Sequence, residues 1–172
     1  MSTMSFGFDR RLTQPPTTFK RPFMPNRPPR LAVFQHNSTP LFFVTFSTHQ
    51  RRTLLANERV HDAFVAYCER GLSLGVGVGR YVLMPDHIHL FLRLSLDLSL
   101  AQWVRSLKRS ISRSIVEHAP HWQEGFFDHL LRGKDSYSQK WEYVRKNPMR
   151  AGLTASHEHW PYQGEIVRLP FD

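Results

Sequence analysis

The chain predicts an α+β fold on three observations. Short runs rich in β-branched and aromatic residues alternate with helical periods of apolar residues. These runs come in the order strand, helix, strand, strand, helix, strand. The two middle strands are joined by a tight Pro-Asp turn, which makes them an antiparallel hairpin. That order is the split arrangement of ferredoxin-like folds, an antiparallel sheet with two helices on one face and the other face open. A third helix near the C-terminal end needs such a face to pack on.

A length of 172 residues suits one domain with a core of its own. The net charge is +9 and aromatic residues make up 13%, with an isoelectric point near 10.3. Cations mixed with flat rings suit a polyanion that carries stackable bases, so nucleic acid is the expected partner. The single cysteine, Cys68, excludes a disulfide framework and a cysteine zinc site, and fits a reducing cytosol. No apolar run is long enough to span a bilayer and no export signal is evident, so a cytoplasmic, DNA-associated protein is expected.

Residues 1–40 hold seven of the twelve prolines and a local charge of +5. Such a stretch propagates neither helix nor sheet and reads as a flexible basic arm outside the fold. Residues 41–152 make the folded domain. Residues 153–172 form a tail packed on it, with Trp160 as the expected anchor.

Within the domain, residues 41–48 (LFFVTFST) read as the first strand. Asn57 caps a helix in which Val60, Phe64, Tyr67 and Leu74 recur with helical spacing, and Gly71 or Gly75 ends it. Residues 76–84 and 87–94 are the hairpin. Gly75, Gly77 and Gly79 precede or lie within a strand and open no helix, so they fail as a dinucleotide fingerprint. Ser99 caps a second helix, running to about residue 118, with a stripe of Leu100, Trp103, Val104, Leu107, Ile111 and Ile115. Residues 122–132 supply the fourth strand. Asp135 or Ser136 caps the last helix, which should end near Asn147 because Pro148 disfavours helical geometry before it.

The second hairpin strand begins with His87 and His89. Side chains alternate across a strand, so His87, His89, Phe91 and Arg93 share one face while Ile88, Leu90, Leu92 and Leu94 share the other. Imidazoles two residues apart are roughly 6 to 7 Å apart at the backbone, near enough to converge on one ion. Spacing alone does not separate a metal pair from an ordinary polar pair. On the last helix, Tyr137, Trp141 and Val144 form the packing stripe, and Tyr143 lies off it with Asn147 one turn on and Lys140 close by. If that helix covers the open face, Tyr143 and Asn147 meet the histidines. Two imidazoles and an amide oxygen suit Mn²⁺ and, less comfortably, Mg²⁺, with room for phosphate oxygens. A phenol with a pKa near ~10 becomes a nucleophile only when a base, a cation or the substrate takes its proton.

The motifs PDHIHL, WEYVRKNPMRAGL, FFDHLLR and FFVTFST, in that compound pattern, resemble the REP-associated tyrosine transposases, single-tyrosine members of the His-hydrophobic-His endonuclease superfamily, over residues 41–162. The resemblance implies a ferredoxin-like fold, a divalent metal on His87 and His89, a nucleophilic Tyr143 and a third ligand at Asn147. Asparagine is shorter than the glutamine found in some related transposases. The resemblance also implies cleavage and rejoining of single-stranded DNA near palindromic-repeat hairpins through a 5′-phosphotyrosine. Candidate DNA contacts are Arg51 and Arg52 after the first strand, Arg93, the helical run Arg105, Lys108, Arg109 and Arg113, then Arg132 and Lys140. The run of four like charges repels itself unless an anion lies across it.

Two other readings compete with this one. A regulatory module that binds hairpin DNA without turnover would keep the same scaffold. An RNA phosphodiesterase would use the histidines as acid and base, but it calls for a matching motif on another strand, and none is evident. His157 and His159 repeat the spacing in a turn-like segment and are expected to be a decoy; His118, His121 and His129 are expected to be structural. Monomer and homodimer remain equal expectations.

Overall fold

The structure is a computed structural model that describes residues 39–169, apart from the Asp135 side chain. The expected basic arm thus lies outside the described residues, except for Thr39 and Pro40. The elements run β1 (Leu41–Ser47), α1 (Glu58–Ser73), β2 (Val76–Leu83), β3 (His87–Leu94), α2 (Leu100–Ser112), β4 (Phe127–Leu131), α3 (Lys134–Arg145), α4 (Asn147–Arg150) and β5 (Gln163–Glu165). The strands form one antiparallel sheet in the order β4-β1-β3-β2-β5. The first four strands take the ferredoxin-like order. β5 adds a short edge beyond β2 that the turn-like composition of its segment does not announce.

Local chemistry explains the element ends. Asn57 accepts from the Val60 amide at 3.0 Å and starts α1. Gly75 follows α1 with a φ of 86°, where a Cβ would collide with Ser95. Leu74 therefore sits past the helix and 59% exposed, not in its apolar stripe. α2 stops at Ser112, short of residue 118, although Ile115 still reaches the core. The fourth strand is shorter than expected, and Phe127 and Leu130 stay exposed because β4 is an edge strand.

Each face of the sheet carries its own core. Val44, Phe46, Ile88, Leu90 and Leu92 pack under α1 and α2 with Phe64, Cys68, Trp103, Val104 and Leu107. Burial raises the Cys68 thiol well above its usual pKa, so it stays a protonated packing group. Phe43, Val82, Met84 and Phe91 turn the other way, against Tyr137 and Val144 of α3 and Trp160 of the tail. Phe91 meets Tyr137 with ring centroids 4.8 Å apart. Trp160 is buried and donates its indole N–H to the Leu83 carbonyl at 2.9 Å. A Cβ on Gly79 would strike Leu169, so a bare backbone at this position admits the tail.

Candidate active site

One end of the face under α3 is polar. There the hairpin turn is held from two sides: Leu54 and Leu55 donate their amides to the Pro85 carbonyl, and the Thr48 amide donates to that of Asp86. The clamp fixes Asp86 beside His87 at the first position of β3. Asp86 Oδ1 lies 2.6 Å from His87 Nδ1. Arg51 Nη2 approaches the same nitrogen at 3.3 Å, but the shorter carboxylate contact decides the tautomer, with Nδ1 carrying the hydrogen. Arg51 is itself bound to Asp86, Nε to Oδ2 at 2.6 Å, and to the Ser47 hydroxyl. Gln50 and Arg51 take φ of 53° and 58°, a left-handed conformation costly for side chains with a Cβ, and it turns Arg51 back over the hairpin.

His89 is held differently. It pairs in register with Thr45 of β1, and the Thr45 hydroxyl lies 2.7 Å from His89 Nδ1. The ring of Phe43 stacks on the imidazole at 5.6 Å. Each histidine thus has Nδ1 engaged by a neighbour, which leaves Nε2 as the nitrogen whose lone pair could ligate an ion. The two ring centroids are 4.7 Å apart. Burial lowers the pKa of His87 against the pull of Asp86. Burial, then His87 and the cations Arg51, Lys140 and Arg150, push His89 down to about 3. Both rings are neutral at pH 7, the form that ligates a metal.

Tyr143 and Asn147 reach the same place from α3 and α4. A cleft of about 450 Å³ is lined by Thr45, Arg51, Met84, His87, His89, Tyr143, Asn147, Arg150 and Ala151. Tyr137 and Val144 are the buried faces of α3, and Tyr143, off that stripe, is 61% exposed. Asn147 does not continue the helix of Tyr143. The helical bonding breaks at Lys146, and Asn147 opens the one-turn α4, where Pro148 is tolerated. The Asn147 side-chain oxygen accepts a hydrogen bond from Arg150. α3 begins on Gly133 with no side-chain cap, in place of Asp135 or Ser136.

The donor set fits a divalent cation in part. Two neutral imidazoles, each oriented through Nδ1, make half of a site. Among the described residues no group of three His, Cys, Asp or Glu is placed to hold an ion, so an ion on the two imidazoles would need the Asn147 oxygen or oxygens of a substrate to complete its ligands.

Several candidate DNA contacts need correction. Arg93 is 1% exposed, under the sheet face, and donates to the Thr39 carbonyl, so it cannot reach DNA. Lys108 is half-buried over Phe46 and Trp122 and donates to the carbonyls of Gln123 and Gly125, which leaves it a packing role. Arg52 is tied to the His118 and Pro120 carbonyls. Arg105, Arg109, Arg113 and Arg132 are exposed, away from the cleft lining. Lys140 lies over the Phe43 ring at 5.2 Å, near His89. The sequence reading missed Thr45 and Arg150. Thr45 shows only through strand register, and Arg150 was in plain view in the NPMR segment, three residues from Asn147.

Known proteins share the family and the fold of this chain. The family model described as Transposase IS200 like matches residues 41–146. A putative REP-associated tyrosine transposase of Haemophilus influenzae is 24% identical over 139 residues, 71% of this chain and 77% of that protein. An uncharacterised protein of the same organism is 22% identical over 155 residues, 70% of this chain and 86% of its own. A solved REP-associated tyrosine transposase bound to a REP hairpin shares the fold, with a TM-score of 0.62 at 18% identity, covering 76% of this chain and 89% of that one. No helix among the described residues is long and apolar enough to cross a membrane.

Proposed function

This chain belongs to the IS200-like transposase family, and from that premise we propose that it cuts and rejoins single-stranded DNA beside a hairpin through Tyr143. The observation that carries the reading is the cleft itself, where an exposed phenol shares one wall system with two neutral imidazoles anchored through Nδ1. The hairpin bound by the solved relative favours a hairpin as the partner here.

His87 and His89, with Asn147, would hold Mn²⁺ or Mg²⁺, which when bound supplies Lewis-acid polarisation of the scissile phosphate. The chain's own residues do the rest. Tyr143 Oη forms a bond to phosphorus as the bond to the 3′ oxygen breaks; the phenolic proton is lost and the 3′ oxygen gains one. The products are a 5′-phosphotyrosine and a free 3′-hydroxyl, and rejoining is the same exchange in reverse, which conserves the phosphodiester. Arg51, Lys140 and Arg150 surround the cleft with positive charge and attract the strand backbone.

A labelled hairpin oligonucleotide incubated with the protein and Mn²⁺ should yield a DNA–protein adduct on a denaturing gel. Tyr143→Phe should remove it entirely. An adduct that persists in Tyr143→Phe overturns the proposal.

A further inference from the structure

Arg150 touches both residues that the reaction needs from the helical side. Its guanidinium lies over the Tyr143 ring, 4.0 Å from the centroid. One nitrogen donates to the Tyr143 carbonyl at 2.8 Å and also to the Asn147 side-chain oxygen. That oxygen is the protein atom available to complete the ligand set beside the imidazoles, and here it is spent on an arginine. The arginine itself is exposed and lines the cleft.

We propose that Arg150 is a positioning residue that changes partner when DNA arrives. Without DNA it holds the Asn147 oxygen and pins the Tyr143 ring; a backbone phosphate then draws the guanidinium away and frees that oxygen for the divalent cation. This rests on the function proposed above. The exchange is favourable because a guanidinium binds an anionic phosphate oxygen, often with two parallel hydrogen bonds, more strongly than it binds a neutral amide. It is local because Asn147 and Arg150 sit on a single helical turn separated from α3 by the break at Lys146. The consequence is linkage: strand and metal each tighten the binding of the other, by the same factor.

The test is Mn²⁺ binding to the full chain without DNA, followed by electron paramagnetic resonance. Arg150→Ala should bind Mn²⁺ about tenfold more tightly than the wild type. In an Asn147→Ala background the same change should give little gain, which separates release of the ligand from simple loss of a positive charge. Adding a hairpin oligonucleotide in a Tyr143→Phe background should tighten Mn²⁺ about tenfold when Arg150 is present, and not when it is alanine. Equal affinity with and without Arg150, or a gain that survives Asn147→Ala, overturns the switch while loss of the ion in His89→Ala leaves the proposed function standing. Mn²⁺ binding indifferent to His89→Ala overturns the function and the switch together.

Discussion

The chain carries His-x-His twice, and the two copies have different fates. His87 and His89 lie on β3, where residues two apart point the same way, and their rings come within 4.7 Å. His157 and His159 lie on a single 3-10 turn. With three residues per turn, side chains two apart point in widely different directions. Their surroundings differ as well. Each ring of the first pair is anchored through Nδ1, by Asp86 or Thr45. The second pair lies outside the cleft lining; the His157 carbonyl accepts from the Gln163 side-chain Nε2, and the next residue after the pair, Trp160, enters the core. A ligand pair therefore needs a shared face and a fixed ring orientation in addition to spacing.

That contrast can be broken or sharpened by substitution. His89→Ala should reduce cleavage by about a thousandfold or more, since it removes one of two imidazole donors, and a rate assay on the hairpin checks it. Trp160→Ala should lower the unfolding free energy by about 3 kcal/mol, measured by denaturant titration, because the ring and its bond to Leu83 hold the tail against the sheet. A stability equal to wild type would mean that the segment after the second pair does no packing work. Thr45→Val keeps the shape of the side chain and removes the hydroxyl from His89 Nδ1. It should weaken Mn²⁺ binding about tenfold with little change in folding. The double change His157→Ala, His159→Ala should leave cleavage within about twofold. A larger loss would give the second pair a part in the reaction and collapse the comparison.

Much of the fold was legible because its signals are local. β-branched runs, the Asn57 and Ser99 caps, the Pro85–Asp86 turn and the helical stripes act within a few residues of one another. The two histidines and the tyrosine off its packing stripe were visible for the same reason: periodicity says which way a side chain points. Distant surroundings were not visible. Arg93 reads as a surface cation on the face of His89, yet the third dimension puts it under the domain against Thr39. Lys108 belongs to a run of four cations, and its ammonium is nonetheless spent on the Gln123 and Gly125 carbonyls. β5 has only three residues, too few for a period to emerge.

By itself, the sequence determined the order of the first four strands and the three longer helices, the side of each that is apolar, and so which residues face the same way as His89. Only the tertiary structure decided that Thr45 stands opposite His89, that Asp86 is clamped beside His87, and that Arg150 occupies the Asn147 oxygen. The physical reason is range. A side chain's direction follows from the φ and ψ of its own segment, whereas its partner follows from strand register and helix docking, which the packing of the whole core settles.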